Sequence, residues 1–157
     1  MPKIRLIVVD RTRSPFLKEG ESFYIERLQK YARVEWVEIK PTKIKKGLST
    51  EEILATEGQK MARRLGPRDY LVSLDRSGDQ HDSEGLAAWL NKLATGAWDR
   101  ITFIVGGPLG LSREILERSR KILSLSRLTL THEMSRLLLL EQLYRAFTIL
   151  RGEKYHK

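Results

Sequence analysis

The sequence contains no cysteine. Disulfide bonds and thiolate-ligated metal sites are therefore excluded. Its three histidines, His81, His132 and His156, lie too far apart for the spacing that zinc ligands adopt in sequence. We therefore expect no bound metal.

Long apolar runs are also missing from the start of the chain. Residues 4–9 are the only apolar stretch there, and Arg5 interrupts it, so it is too short for a signal peptide or a membrane span. The most apolar segment lies near the other end, but it carries four side chains that would be costly in hydrocarbon: Arg136, Glu141, Gln142 and Arg145. We expect a cytoplasmic protein without a membrane segment.

No tract rich in proline, glycine or serine interrupts the chain as a linker would, and no internal repeat is present. With 157 residues, of which 41% are hydrophobic, the chain can bury a full core. We expect one domain that spans residues 1–157.

Basic residues outnumber acidic ones and give a net charge of +9, which attracts polyanions such as nucleic acid. Residues 1–46 hold twelve Lys or Arg against six Asp or Glu, and residues 112–157 hold ten against five. The two ends are therefore where we expect phosphates to be contacted. Charge alone also fits a basic protein that binds no nucleic acid.

Apolar patterns predict strands that alternate with helices. The predicted strands are 3–9, 34–39, 70–74 and 101–105, with a fifth candidate at 122–126. The predicted helices cover 21–33, with Phe23, Leu28 and Tyr31 inward, then 49–65 from a Ser49 cap, 82–93 from an Asp82 cap, a short one from Ser112 and a long final one. This alternation indicates an α/β fold with a mostly parallel sheet.

The final helix carries two apolar stripes. Leu137, Leu140, Tyr144 and Phe147 form one stripe, and Leu139, Leu143, Ala146 and Leu150 form the other. One stripe can cover the sheet, and the other is most economically buried against a second copy of the chain, so we expect a homodimer through this helix. The alternative is a helix buried within one compact domain.

Ligands of open α/β sheets bind where the strands end, and three loops leave such ends here, at 75–79, 106–111 and 127–131. Glycines 106, 107 and 110 allow close approach of a nucleotide-like ligand, although a tight structural turn explains them equally well. They match neither the dinucleotide fingerprint nor a P-loop. Residues 125–130 mix apolar and hydroxyl side chains as an adenine pocket does, or as an ordinary strand end does.

Two of the three histidines are candidates for a functional role. His132 begins the final helix, where a structural role is the simpler interpretation. Tyr155 and His156 stand in a polar terminus with no core to fill, so the pair is either disordered or docked into a site. In a two-fold dimer that site can be the partner's.

Several motifs closely resemble the RlmH (YbeA-like) family of SPOUT methyltransferases. They are the runs FIVGGPLGL at 103–111, LSRLTL at 125–130 and LEQLYRAF at 140–147, with the closing Tyr155-His156. The resemblance covers nearly the whole chain, and its specific motifs lie in the C-terminal third. It implies an α/β domain with a C-terminal trefoil knot, working as a homodimer.

The resemblance also implies an activity, the transfer of a methyl group from S-adenosylmethionine to N3 of a pseudouridine in the helix 69 loop of 23S ribosomal RNA. The partner would be that RNA in the large subunit or the 70S ribosome. The implied cofactor pocket consists of Leu74, Gly106, Gly107, Leu125, Ser126, Arg127, Leu128, Thr129 and Leu130, and the implied catalytic residues are Arg145, Tyr155 and His156. Thr131 and Asp10 depart from the family's usual proline and glycine.

Methylation of an imide nitrogen requires positioning and loss of a proton rather than a covalent intermediate. We therefore expect Arg145 to stabilise negative charge on the base, and Tyr155 or His156 to orient it and accept the proton. Two alternatives remain open: a non-enzymatic RNA-binding or ribosome-associated protein, and a SPOUT methyltransferase that acts on another RNA such as tRNA.

Overall fold

A computed structural model describes residues 1–157. Five strands form one parallel sheet in the order β2-β1-β4-β3-β5. The strands are β1 (Lys3–Val9), β2 (Arg33–Ile39), β3 (Asp69–Asp79), β4 (Arg100–Val105) and β5 (Lys121–Leu123). The helices are α1 (Pro15–Leu28), α2 (Thr50–Ala62), α3 (Ser83–Ala94), α4 (Arg113–Arg118) and α5 (His132–Leu150). The predicted parallel α/β sheet flanked by helices is confirmed.

The central strands β1 and β4 are apolar on both faces, as expected for a parallel sheet covered by helices. On one face α1, α3 and α5 enclose a core of twenty buried residues that includes Leu6 and Phe103. On the other face α2 and α4 cover a smaller core of nine residues that includes Ile7 and Ile104. Neighbouring residues of β1 thus point into different cores, as the period of two requires.

Both predicted stripes of α5 find cover within the chain itself. Leu139, Leu140 and Leu143 are fully buried, because α5 packs between α1 and α3. The alternative of a helix buried within one domain therefore explains both stripes up to Leu150, the last residue of the helix, which is 38% exposed. The half-buried face of α5 is a third and more polar stripe, spaced three or four residues apart: Met134, Leu138, Gln142 and Arg145.

The first helix is the element that the sequence patterns misplaced. It begins at Pro15 and ends at Leu28, whereas the predicted helix covered 21–33. The prediction that Phe23 points inward is wrong, since its side chain is 45% exposed. Gly20 concealed the helix because glycine disfavours helices, yet here it admits Leu137 of α5, whose Cδ1 would lie 2.9 Å from an added Cβ.

Two predicted helix caps are confirmed. The Ser49 hydroxyl accepts a hydrogen bond from the Glu52 amide at 3.1 Å, and the Asp82 carboxylate accepts one from the Gly85 amide at 2.7 Å. The predicted strand ends were less accurate. β3 continues to Asp79 rather than ending at 74, and β5 ends at Leu123 rather than at 126. A register shift in β3 between Leu74 and Asp79 lets both residues pair with Leu123, which the apolar pattern does not reveal.

No helix combines the length and apolar character that crossing a bilayer requires. No three His, Cys, Asp or Glu side chains gather in a way that could hold a metal ion.

Candidate active site

A cleft of about 880 Å³ opens at the carboxyl ends of β3, β4 and β5. The predicted loops at 106–111 and 127–131 meet there, because parallel strands end at one edge of the sheet. The predicted loop at 75–79 is instead part of β3, and only Asp75 and Arg76 of it line the cleft. Eight of the nine implied cofactor residues line the cleft: Leu74, Gly106, Gly107, Leu125, Ser126, Leu128, Thr129 and Leu130. Arg127 does not line it, and its side chain is exposed.

The glycine loop is both a tight turn and one wall of the cleft. The Gly110 amide donates to the Gly107 carbonyl at 3.0 Å, and Gly110 has a φ of 87°, which favours glycine. A Cβ on Gly106 would lie 2.5 Å from the Gly110 carbonyl oxygen. The loop is therefore both a structural turn and a binding loop. The turn requires glycine at position 106, and the outer side of the turn faces the cleft.

The opposite wall is the loop that follows β5. The Ser124 hydroxyl donates to the Ser126 carbonyl at 3.0 Å, and the Ser126 hydroxyl accepts from the Leu128 amide at 3.0 Å. These short-range bonds hold the loop in shape. The backbone amides of Leu125, Thr129 and Leu130 donate to no group in the chain. This wall thus offers apolar side chains beside free polar backbone, which suits a purine base.

The floor is completed by the first turn of α5, which the sequence patterns did not select. His132, Glu133 and Ser135 line the cleft. Burial lowers the pKa of His132, which keeps its imidazole neutral at physiological pH. Its position after a strand-end loop was the only signal in the sequence, and that signal favoured a structural role.

Glu133 ties the loop after β1 to α5. Its Oε1 accepts hydrogen bonds from the backbone amides of Arg13 at 2.8 Å and Ser14 at 3.1 Å. Burial raises the pKa of Glu133, but these amide bonds outweigh burial and leave the pKa below its usual value. The carboxylate is therefore ionised and holds Ser14, another lining residue, at the edge of the cleft.

Arg136 lies directly beneath this contact and is fully buried. Its guanidinium donates to the Val9 carbonyl and, at 3.1 Å, to the Thr12 hydroxyl, which donates to Glu21 Oε1 at 2.6 Å. The Nε atom of Arg136 has no hydrogen-bond partner, and burial lowers the pKa of the Arg136 side chain. The group thus fixes the end of β1 beneath the cleft at the cost of a buried charge.

The three implied catalytic residues lie together at the other end of α5. Arg145 Nη1 is 3.2 Å from His156 Nδ1, and its guanidinium carbon lies 4.8 Å from the centre of the Tyr155 ring. Because arginine can only donate, Nδ1 accepts and Nε2 carries the proton that faces Glu84 Oε1 at 2.9 Å. The sequence did not indicate Glu84.

Glu141 joins this group and was also missed, although its spacing of four residues from Arg145 is a recognisable ion-pair signal. Its Oε1 lies 2.6 Å from Arg145 Nη2 and accepts from the Tyr155 hydroxyl at 3.0 Å. Burial, followed by hydrogen bonds with Tyr24 and Glu141, raises the pKa of Tyr155 well above its usual range. Tyr155 therefore stays protonated near neutral pH and cannot act as a base there.

Within one chain the cleft and the tail group are far apart. Ser135 lines the cleft and Arg145 follows ten residues later on the same helix. At 1.5 Å per residue this is about 15 Å along the axis of α5. The Arg145, Tyr155 and His156 side chains therefore cannot serve the cleft of their own chain in this arrangement.

The cleft also has an exposed apolar rim. Leu128 is 74% exposed and Leu109 is 44% exposed, and both line the opening. Phe16, which precedes the lining residue Leu17, is 67% exposed. Exposed large apolar side chains grouped around one opening are typical of a binding surface.

The fold resembles that of two solved structures. One is a probable methyltransferase from Bordetella pertussis Tohama I, with a TM-score of 0.60, 14% identity and coverage of 92% of this chain and 94% of that one. The other is a probable methylase family protein from Haemophilus influenzae Rd KW20, with a TM-score of 0.58, 14% identity and coverage of 98% and 70%. At this identity the likeness concerns the fold alone.

Curated relatives match at much higher identity. A protein named ribosomal RNA large subunit methyltransferase H from Pelotomaculum thermopropionicum is 42% identical over 156 residues, which cover 98% of each chain. Proteins of the same name from Carboxydothermus hydrogenoformans and Bacillus thuringiensis are 39% and 40% identical, and each match covers at least 98% of both chains. A family model described as "Predicted SPOUT methyltransferase" matches residues 2–156. The resemblance seen in the C-terminal motifs is thereby confirmed, and the chain belongs to the SPOUT methyltransferase family.

Proposed function

We propose that this protein methylates N3 of a pseudouridine in the helix 69 loop of 23S ribosomal RNA, with S-adenosylmethionine as methyl donor. Its substrate would be the large subunit or the 70S ribosome, in the cytoplasm, and residues 1–157 would act as one domain. The observation that carries the proposal is the cleft, in which eight implied cofactor residues from β3 and two separate loops come together. The name shared by the relatives supports ribosomal RNA as the substrate class.

The residues of the cleft suit S-adenosylmethionine. The volume of the cleft, about 880 Å³, falls within the range of small-molecule sites. The free amides of Leu125, Thr129 and Leu130 can hydrogen-bond the edge of an adenine, with Leu74 and Leu125 beside its faces. Asp75, which also lines the cleft, is an acceptor suited to hydroxyl or ammonium groups.

When bound, the cofactor supplies an electrophilic methyl group on a sulfonium sulfur. The chain's own residues must then hold the base in line and remove its N3 proton. His156 is the better proton acceptor, because the Tyr155 hydroxyl keeps its own proton. Nδ1 of His156 accepts a hydrogen bond from Arg145 in the free protein, so Arg145 must shift toward the base before Nδ1 can take the N3 proton. Glu84 at Nε2 stabilises the resulting imidazolium, as a carboxylate does behind a general base.

Arg145 and Tyr155 take the remaining roles. The Glu141 hydrogen bond raises the pKa of Arg145, so its guanidinium is charged at every working pH. That charge offsets the negative charge that develops on the base as N3 loses its proton. The Tyr155 hydroxyl donates its one proton to Glu141, so it orients the base with its ring and with its oxygen as a hydrogen-bond acceptor.

We also propose that the active unit is a two-fold homodimer. Two α5 helices packed antiparallel along their half-buried stripes would bring the tail of one subunit to the cleft of the other. The 15 Å separation within one chain and the exposed rim at Leu109 and Leu128 support this assembly. We further infer from membership of the family that the C-terminal segment is threaded into a trefoil knot, which the path of the backbone in a crystal structure would test.

The activity is tested with purified protein, S-adenosylmethionine carrying a labelled methyl group, and 70S ribosomes, large subunits, free 23S RNA and tRNA as separate substrates. Mass spectrometry of RNA digests then identifies the modified nucleotide. Methylpseudouridine from helix 69 supports the proposal. Methylation of tRNA would mean that tRNA, rather than 23S RNA, is the substrate. RNA binding without methylation of any substrate would favour a non-enzymatic role.

The shared site is tested by mixing two inactive variants, Leu130→Arg in the cleft and His156→Ala in the tail. If subunits exchange at random, half of the dimers are mixed and each holds one complete site, so roughly one quarter of the wild-type activity returns. A monomer in sedimentation equilibrium, or no recovery after exchange, would contradict the dimer.

A further inference from the structure

We propose that the loop between β2 and α2, together with the C-terminal end of α2 and the two residues that follow it, is a surface that binds the phosphates of the RNA substrate. The cations of this basic surface are Lys40, Lys43, Lys45, Lys46, Lys60, Arg63 and Arg64. The inference rests on the proposed function, because it assigns a binding face to the same RNA.

None of these seven cations forms a salt bridge, although ten salt bridges occur elsewhere in the protein. Four carboxylates belong to the same region. Glu38 is exposed and lines a hollow of about 310 Å³ with Lys40, Lys60, Arg63 and Arg64. Glu51 and Glu52 lie in the exposed first turn of α2, directly after the loop, and Glu57 is buried at 7% exposure. Seven cations against four carboxylates leave the basic surface with an excess of positive charge that is available to an anion.

The basic surface projects from the same edge of the sheet as the cleft. Ile39 pairs with Val9 of β1, and Val8 pairs with Val105 of β4, so Lys40 and Gly106 leave that edge within one residue of the same level. Two strand spacings of about 4.8 Å place them about 10 Å apart across β1. A strand of RNA whose base enters the cleft would carry its neighbouring phosphates over this loop.

Residues 40–49 form the longest connection between elements, and every residue from Lys43 to Ser49 is exposed to solvent. It is anchored at its base, where Lys60 Nζ donates to the Lys40 carbonyl at 3.1 Å. Ile44, which is 80% exposed, is the one large apolar side chain among the lysines. This composition fits contact with a charged backbone, which fixes orientation without reading sequence.

The test compares two full-length triple variants with the same loss of charge. The first carries Lys43→Gln, Lys45→Gln and Lys46→Gln. The matched control carries Lys3→Gln, Lys30→Gln and Lys92→Gln, which are exposed and lie outside every salt bridge, near the opposite edge of the sheet. Exposed substitutions of this kind should change the free energy of unfolding by less than about 0.5 kcal/mol each.

The probe is a synthetic RNA hairpin with the helix 69 sequence, and its affinity is measured by filter binding between about 50 and 200 mM KCl. At the lowest salt the loop variant should bind about 10- to 100-fold more weakly, with a salt slope about two smaller, because each lost contact with single-stranded phosphate removes about 0.7. The control should keep the slope of the wild type. Calorimetry should find the same S-adenosylmethionine affinity in all three proteins.

Equal slopes for the loop variant and the wild type overturn the inference, and would be expected if this surface served an acidic protein instead. The proposed function fails separately, when the wild-type protein transfers no methyl group to ribosomal RNA. An active wild type with an unchanged loop variant therefore rejects the basic surface alone. An inactive wild type whose hairpin binding is weakened by the loop substitutions rejects the methyl transfer alone.

Discussion

Glu141 Oε1 lies 2.6 Å from Arg145 Nη2, one helical turn further along α5. The same oxygen accepts from Tyr155, so one carboxylate holds two of the three implied catalytic side chains. Because both partners are less than a third exposed, this pair is more than a surface ion pair.

Replacing Glu141 with Gln should lower methyl-transfer turnover about 10-fold, since Arg145 and Tyr155 keep only a neutral amide oxygen in place of the carboxylate that positions them. The free energy of unfolding should fall by about 1–2 kcal/mol, measured by urea denaturation. Glu117→Gln is the matched control, because Glu117 pairs with Arg113 at the same spacing but in an exposed position. It should change stability by less than about 0.5 kcal/mol. Equal effects of the two variants would contradict the special role of Glu141.

Replacing His156 with Ala should lower turnover about 100-fold, the contribution typical of a general base. The affinity for S-adenosylmethionine should stay the same, because His156 does not line the cleft of its own chain. Single-turnover kinetics and calorimetry measure the two quantities. Lys157→Ala tests whether any change in the tail has the same effect, and a fully active His156 variant would exclude this residue as the proton acceptor.

Arg136 and Glu21 should be coupled in stability. Arg136→Met alone should cost about 3–5 kcal/mol, because the Val9 carbonyl loses its donor and the buried Glu21 loses the charge that stabilises it. Adding Glu21→Gln should recover part of this loss. Urea denaturation of both single variants and the double variant gives the coupling energy, and simple additivity would show that the two groups do not interact.

The glycine turn allows two neighbouring substitutions to be compared. A Cβ on Gly106 would lie 2.5 Å from the Gly110 backbone, whereas a Cβ on Gly107 would meet only the Val9 side chain, at 3.3 Å. Gly106→Ala should therefore destabilise the protein by about 2–3 kcal/mol and weaken cofactor binding, and Gly107→Ala by about 1 kcal/mol or less. Urea denaturation and calorimetry test both. The reverse order would mean that the turn is arranged differently.

Glu57 provides a prediction of pH dependence. Burial raises its pKa, against the lowering effects of a hydrogen bond from the Thr42 amide and of Lys60. A carboxyl group with a raised pKa in the folded state stabilises the protein below its unfolded pKa of 4.5, and this contribution is lost as pH rises through the folded value. Glu57→Gln should therefore become more stable relative to the wild type between about pH 4 and pH 7.

Chemical denaturation at several pH values measures this difference. A difference that shrinks as pH rises would reverse the assigned direction of the pKa. Glu52→Gln on the exposed side of α2 is a suitable control for the removal of one negative charge from the same helix.

Some of the candidate site could be read from the sequence. The glycines at 106, 107 and 110 and the segment 125–130 follow predicted strands, and parallel strands must end at one edge, so their convergence followed from topology alone. The first turn of α5 could not be found in this way. Glu133 lines the cleft because it binds the amides of Arg13 and Ser14, which lie more than a hundred residues away in sequence.

The cover of α5 is a second feature that the sequence pattern did not predict. Two apolar stripes on α5 indicated more buried surface than one sheet can cover, which was correct. Periodicity does not say which neighbour covers each stripe, and α1 and α3 provide the cover within the chain. The half-buried stripe contains Gln142 and Arg145. Because these side chains are polar, the pattern of apolar residues does not reveal this stripe.

The sequence by itself determined the features with local causes: alternating strands and helices, the caps at Ser49 and Asp82, the glycine turn and the excess of positive charge. Each depends on residues within a few positions of one another. Only the tertiary structure decided that Arg136 is buried, that Glu84 meets His156 across 72 positions, and that the tail lies far from its own cleft. Such contacts depend on how helices pack on the sheet, and a local pattern of apolar and polar residues does not encode which distant side chains meet.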